Sequence, residues 1–294
     1  MAETTGDVTI GVLGGSGLYA MEELTEVEER RVSTPFGEPS DVITIGTLHG
    51  TRVAFLPRHG RGHRLLPSEI PARANIYALK SLGVRFLIAA SAVGSLREEI
   101  EPLHMVIPDQ IVDRTRGRVG TFFGGGLVGH VSLAQPFCPT LSDLLADAAE
   151  RAGATVHRGG SYLCIEGPQF STKAESLLYR SWGLSIIGMT AIPEAKLARE
   201  AEMHYAMIAQ STDYDCWRES EEVVSADLVV ANVARNIATV RRSLQELVPA
   251  VPSVLEDECS AALAHAIQTA PDAINPEAVE RLGIIFEKYA SGRR

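Results

Sequence analysis

Short apolar runs alternate with amphipathic stretches along most of the chain. Residues 8–13 (V-T-I-G-V-L), 84–90 (V-R-F-L-I-A-A) and 105–112 are continuous enough to read as buried strands. Residues 154–165 and 184–188 are strand-like too, and 206–217 (A-M-I-A-Q-S-T-D-Y-D-C-W) begins apolar and ends in two carboxylates. Residues 41–46 and 51–56 flank a turn at His49-Gly50 and predict a hairpin. Helices are predicted over 71–82, where Ala72, Ile76 and Leu79 share one face, and over 140–151, 172–182 and 193–202. Thr172 and Glu175 make a capping pattern, and Thr140 with Asp143 a similar one. Ser225 is expected to cap a long helix over 226–248, and two C-terminal helices are expected over 255–268 and 276–289.

Strands alternating with helices predict an α/β fold, and the early hairpin argues for a mixed sheet rather than an all-parallel one. The expectation is a single domain over 1–294, a twisted mixed β-sheet flanked by helices, with a polar tail at 1–7 and a C-terminal helical segment over 249–294. Composition agrees: 294 residues, 45% hydrophobic and 22% charged, are ordinary globular values. The net charge of −10 argues against nucleic acid or an anionic membrane as partner. A small anionic ligand remains compatible with that charge, because a few Arg and His residues reverse the field inside a cleft. No run approaches the roughly 18 apolar residues of a bilayer span, and the polar residues 1–7 suggest no signal peptide. Cys138, Cys164, Cys216 and Cys259 are far apart and form no C-x-x-C pair, so neither zinc nor a disulfide framework is suggested. A cytoplasmic protein with reduced thiols fits best.

Several strand ends carry chemistry. The first strand runs into Gly14-Gly15-Ser16-Gly17, whose amides suit an anion nest; a tight turn without a ligand is the plainer alternative. The match to a dinucleotide fingerprint there is loose, because no acidic residue ends a second strand about twenty residues on. After the hairpin, five of the eight residues 57–64 are Arg or His, with Arg58 and His59 at the strand's very end. Arg makes bidentate contacts to phosphate oxygens, although a solvated basic loop explains the same letters. Ser91-Ala92 and Met189-Thr190 follow two further strands, and Asp213 and Asp215 follow a fifth. In open α/β sheets such carboxyl ends line the ligand crevice. Two lone acids in a loop are as readily solvated or helix-capping. With the other four ends on the same edge, one side of a crevice would hold an oxyanion and the other would offer carboxylates. That pairing suits phosphorolysis of a nucleoside through an oxocarbenium-like transition state, with an Asp protonating purine N7. Oxidation with a nicotinamide cofactor and plain nucleotide binding are the rivals; the first lacks its ribose-binding acid, the second needs no proton donor.

The motifs G-G-S-G-L (14–18), T-P-F-G-E-P-S-D (34–41), R-H-G-R-G-H (58–63), A-V-G-S-L-R-E-E-I (92–100), P-F-C-P (136–139), I-E-G-P-Q-F-S-T (165–172), M-T-A-I-P-E (189–194) and S-T-D-Y-D-C-W (211–217) occur in this order. Together they resemble the trimeric purine nucleoside phosphorylase family, over most of residues 8–225. The resemblance implies cleavage of S-methyl-5'-thioadenosine by phosphate to adenine and 5-methylthioribose 1-phosphate. Broader action on adenosine, 6-oxopurine nucleosides or other 5'-substituted adenosines is the alternative. It implies phosphate as co-substrate, no metal or organic cofactor, and a homotrimer or dimer of trimers. By position it implies a phosphate site of Ser16, Arg58, His59, Ser91, Ala92 and Thr190, with Ser16 and Ser91 standing where the family usually has Thr. Met189 would pack on the ribose, Phe170 would stack on the purine, and His63 would lie close to phosphate and ribose. Asp213 and Asp215 would read the adenine edge, Asp213 being the proton donor, and His130 would reach a neighbouring subunit's 5' pocket. The Gly-rich 114–129 stretch, expected to be a mobile loop, and the chain after Asp227 depart from the family's pattern.

Overall fold

In the computed structural model the described residues are 8–15, 17–18, 21–218 and 226–290, the side chains of 226–229 excepted. The strands are β1 (Val8–Gly14), β2 (Thr25–Arg30), β3 (Ile43–Leu48), β4 (Thr51–Pro57), β5 (Phe86–Ser95), β6 (Met105–Ile107), β7 (Gln110–Arg114), β8 (Val156–Arg158), β9 (Ser161–Ile165), β10 (Ile186–Gly188) and β11 (His204–Asp213). The helices are α1 (Ala72–Ser81), α2 (Pro139–Arg151), α3 (Lys173–Ser181), α4 (Ala191–Glu200), α5 (Ala226–Leu247), α6 (Pro276–Leu282) and α7 (Glu287–Ala290).

Without a single charged side chain, β5 is suited to burial on both faces. It is the strand on which the sheet branches. Its first half pairs in parallel with β1 on one side, β11 runs parallel along nearly its whole length on the other, and its last two residues pair antiparallel with β10. The main path runs β2-β3-β4-β1-β5-β10-β9-β7, while β6 and β8 continue from β11. The sheet is therefore mixed, as the hairpin implied. His49 and Gly50 both have positive φ, 49° and 78°, the turn whose twist matches the two flanking strands. The edge strand β2 is almost wholly exposed and carries four charged residues, which blunts it against pairing with another chain. Apolar faces of α1 and α4 cover one side of the sheet, through residues such as Ile76, Leu79 and Leu197; α2 and α5 cover the other, through Leu141, Leu145, Val240 and Leu244.

Five expectations change. Residues 105–112 form two strands, because Pro108 lacks the N–H that a continuous ladder needs. Residues 154–165 likewise divide at Gly159-Gly160, whose amides turn away to Ile107 O and Asp109 Oδ1. Helix α2 begins with Cys138 as its cap and Pro139 in its first turn, so Thr140 caps nothing, whereas Thr172 and Glu175 do form a reciprocal capping box on α3. No regular helix forms over 255–268. Its backbone is drawn into tertiary bonds instead: Leu263 N–H donates to Glu202, and Ala266 O accepts from His130 N–H. The second C-terminal stretch breaks at Gly283 into α6, a short 3-10 turn and α7. The 1–7 tail and the Ser225 cap lie outside the described residues.

Candidate active site

The sequence D-Y-D closes β11 as an Asx turn. Asp213 Oδ1 accepts the N–H of Asp215 at 2.8 Å, and Oδ2 accepts the Thr212 hydroxyl at 2.7 Å. Asp215 sits at φ 50°, a left-handed conformation that Asp tolerates better than most residues. Beyond it, Trp217 Nε1 donates to Ser95 O at 2.8 Å and the Arg180 guanidinium lies 3.5 Å over the Trp217 ring, which pins the turn against β5. Asp213 faces Gly94 across the β5–β11 pair, and a Cβ on Gly94 would stand 2.9 Å from Asp213 Oδ1. Only glycine lets the carboxylate come this close.

Both acids are buried. Burial holds the Asp213 carboxyl up at about 6, against the Thr212 hydroxyl and the Asp215 amide, which pull it down. Burial also raises Asp215, with Ser176 and Ser171 counteracting. Asp215 Oδ2 and the buried Ser171 and Ser176 hydroxyls make no hydrogen bond of ordinary geometry among the described residues, although the two hydroxyls lie close enough to Asp215 to pull its pKa down. Buried polar atoms are rarely left unpaired. Three together mark a place built for polar groups from elsewhere.

Three residues back along β5, about 10 Å at strand spacing, Ser91 Oγ meets Thr190 Oγ1 at 2.9 Å, both side chains buried. Thr190 precedes α4, and its amide faces the Tyr162 hydroxyl at 3.4 Å. Ala92 and Met189 are half-buried neighbours of this pair in sequence. Arg58 at the end of β4 is buried among the same strands. Its Nε and Nη2 hold Glu194 at 2.6 and 3.1 Å, Nη1 donates to Ala90 O at 2.7 Å, and Nη2 also donates to Leu13 O at 3.1 Å. Burial opposes the Arg58 charge, but the Glu194 carboxylate outweighs it and raises the pKa. Four of its five N–H groups are thus committed to protein partners, which a phosphate role read from sequence does not anticipate.

His59 is half-buried, with Nδ1 2.8 Å from Leu65 O and its ring stacked on the exposed His63 at a centroid distance of 4.2 Å. Burial first, then Arg58 and His63, depress its pKa to about 4. The ring is therefore neutral near pH 7, and because Nδ1 faces a carbonyl it carries the proton. Nε2 is left as an acceptor.

Phe170 is 46% exposed and His130 is exposed. Among the described residues no hydrogen bond or ring contact links either side chain to the groups above. Ser16 lies outside the described residues; its neighbour Gly17 is held through its carbonyl by Arg241 of α5. The 114–129 stretch is packed rather than loose, with Phe122 and Leu127 fully buried. From it Arg118 donates to Met189 O, Ile192 O and Glu166 O at 2.7, 2.8 and 2.7 Å, and pairs with the Glu166 carboxylate at 3.1 Å. Arg118 and Glu194 escaped the sequence reading; the glutamate was quoted in M-T-A-I-P-E without a role, and an Arg in a Gly-rich loop carries no local signal of burial. Clefts of about 390 Å³ beside Phe137 and Arg158 and about 210 Å³ beside Phe36 and Pro193 are lined by neither Asp213 nor Ser91. The strand-end side chains, rather than concavity alone, define the candidate site.

Removing one partner of a buried ion pair leaves an uncompensated charge. Glu194→Ala is expected to lower the unfolding free energy by about 3–5 kcal/mol in chemical denaturation. A loss below about 1 kcal/mol, typical of an exposed pair, would show that the pair does not hold the strand ends together.

A sequence profile of the phosphorylase superfamily matches residues 9–249. The S-methyl-5'-thioadenosine phosphorylase of Geobacter sulfurreducens is 56% identical to this chain over 281 residues, 95% of this chain and 98% of that protein. Among solved structures, a methylthioadenosine phosphorylase sourced from an antarctic soil metagenomic library superposes with a TM-score of 0.91 at 49% identity, covering 95% of this chain and 99% of that one. Methylthioadenosine phosphorylase from Schistosoma mansoni, in complex with adenine, gives a TM-score of 0.84 at 37% identity, covering 90% and 100%. With nearly the whole chain matched in sequence and in fold, this protein belongs to the phosphorylase superfamily, alongside the S-methyl-5'-thioadenosine phosphorylases.

Proposed function

We propose that this protein cleaves S-methyl-5'-thioadenosine with inorganic phosphate, releasing adenine and 5-methylthioribose 1-phosphate. A phosphate oxygen attacks C1' of the ribose as the C1'–N9 bond breaks, and the electron pair leaves with adenine, which takes a proton at N7. The observation that carries the proposal is the buried acid pair on β11, with unpartnered polar atoms at Asp215, three residues along β5 from the buried hydroxyl pair.

Asp213 is the proton donor. A carboxyl near 6 is far easier to keep protonated against a purine than one at its ordinary value. Asp215, with Ser171 and Ser176, takes the remaining polar edge of the base. An ionised carboxylate accepts from the 6-amino group of adenine and repels the 6-carbonyl of an oxopurine. Ser91, Thr190, the amide near Ala92 and Ser16 donate to phosphate. Arg58 adds its charge and the remaining Nη1 N–H. His59 Nε2, an acceptor, takes a hydrogen bond from the hydroxyl of a monoprotonated phosphate, with His63 stacked behind it. Met189 lies against the ribose and Phe170 against the purine. The chemistry uses phosphate as co-substrate and needs no metal or organic cofactor. We further infer a cytoplasmic homotrimer or dimer of trimers, with His130 serving a neighbour's 5' pocket. Supporting an oligomer, Phe170 and the α3 region residues Leu177, Leu178 and Trp182 are each nearly half exposed. Among the described residues no helix is long and apolar enough to cross a membrane.

Incubated with methylthioadenosine, the protein is expected to form adenine and the sugar phosphate only when phosphate is present; adenine release without phosphate would make it a hydrolase. Asp213→Asn is expected to lower kcat/KM for methylthioadenosine on the order of a hundredfold or more, and far less for methylthioinosine; equal losses would remove Asp213 from base recognition. Because the protonated carboxyl is the active form, wild-type kcat/KM should fall as pH rises through about 6, a limb that Asp213→Asn abolishes. Ser91→Ala removes one donor to a charged ligand, about 1.5–3 kcal/mol, and should raise the phosphate KM roughly tenfold or more while the KM for the nucleoside barely moves. An unchanged phosphate KM would take Ser91 out of the phosphate site.

A further inference from the structure

Two cysteines 121 positions apart in sequence meet at the far end of β11 from the acid pair. Cys138 caps α2, His204 opens β11, and Asp257 and Cys259 come from the turn-rich segment that follows α5. One ligand atom from each of the four lies within 4.8 Å of every other. The measured edges are 3.5 Å from Cys138 Sγ to His204 Nδ1, 3.7 Å from Cys138 Sγ to Asp257 Oδ2 and 3.4 Å from His204 Nδ1 to Asp257 Oδ2. A tetrahedral zinc ion with ordinary bond lengths needs about 3.5 Å for each sulfur-to-nitrogen or sulfur-to-oxygen edge and about 3.3 Å for nitrogen to oxygen. Three corners thus already stand at coordination spacing.

We propose that Cys138, His204, Asp257 and Cys259 bind one zinc ion, which staples the segment after α5 to the core. Two thiolates, an imidazole and a carboxylate form a borderline-soft tetrahedral set that suits zinc and is a poor match for magnesium or calcium. Two thiolates, a carboxylate and Zn²⁺ leave one net negative charge. The buried Arg199 guanidinium, 3.5 Å from Cys259 Sγ, balances it, and its other arm holds Gln135 O. The N-terminus of the thirteen-residue helix α2 favours a thiolate at Cys138. The Phe86 ring, stacked on His204 at 4.8 Å, fixes the imidazole plane. Without regular helix over 255–268, that segment is held by local turns, in which Asp257 Oδ1 accepts the Cys259 and Ser260 amides and leaves Oδ2 to face Cys138 and His204, so a tether at Asp257 and Cys259 bears directly on where it lies. The zinc takes no part in the reaction; the site stands apart from Asp213 at the opposite end of the strand.

The test uses the full-length protein, reduced, stripped with a chelator and titrated with Co²⁺. A thiolate-to-cobalt charge-transfer band with tetrahedral visible bands should grow to saturation at one cobalt per chain and vanish on adding Zn²⁺. Zinc should raise the melting temperature of the stripped protein. Cys259→Ser should roughly halve the charge-transfer intensity per cobalt, since one of the two thiolates of a Cys₂ set is lost, and Asp257→Asn, which preserves shape, should weaken binding at least about tenfold. Because the wild-type titration needs no variant to fold, absence of the band with both thiols free overturns the proposal. So does a Cys138–Cys259 disulfide, seen as two thiols missing under denaturing conditions without reductant. Stoichiometric binding retained in Cys138→Ser/Cys259→Ser would also overturn it.

Discussion

The buried Arg58–Glu194 pair is the interaction on which the rest of the site depends. One guanidinium, just past the end of β4, reaches a carbonyl near the end of β1 and another midway along β5, and its counter-ion comes from α4. Tyr205 of β11 donates to the same carboxylate at 3.1 Å. Five elements are thereby tied together, the ends of β1 and β4 among them. A charge this deep is costly unless its fork is filled, and here the Glu194 carboxylate and two strand carbonyls fill it. The pair is less a source of net stability than a device that allows only one arrangement of those ends.

Burial does a second job at the other side of the crevice. The ladder between β5 and β11 carries Asp213 into a place where water is scarce, and Gly94 makes room for it. The result is a carboxyl near 6 rather than near its ordinary value. Beside Arg58 the same scarcity of water works in the opposite direction, holding His59 neutral. Burial thus favours the neutral form of both a carboxyl and an imidazole, so that environment and not residue type sets which of them holds its proton near neutral pH.

Arg118 shows how much of the site is held from outside it. Its hydrogen bonds to the carbonyls of Glu166, Met189 and Ile192 join the β9 end, the β10 end and the start of α4. The glycines around it let that stretch turn sharply enough to bury an arginine and two phenylalanines. The loop therefore behaves as a clamp on the segment between Met189 and Pro193.

Much was legible in the letters. Apolar runs of strand length, the His49-Gly50 turn and the Thr172–Glu175 capping box are local patterns, and strands, turn and box formed where they stood, except that the runs 105–112 and 154–165 each divided in two. The residues singled out at strand ends were legible as well, and the structure buries Asp213, Asp215, Ser91, Thr190 and Arg58 while leaving Phe170 and His130 exposed. What the letters could not carry was pairing between distant positions. That Arg58 would spend four donors on Glu194, Ala90 and Leu13, that 255–268 would give the Leu263 N–H to Glu202 and the Ala266 carbonyl to His130 instead of to a helix, and that Cys138 would meet Cys259 all depend on contacts between residues tens to more than a hundred positions apart. Local propensity does not see such contacts. Only the packed sheet decides which buried polar groups find one another, and so which of them remain for a ligand.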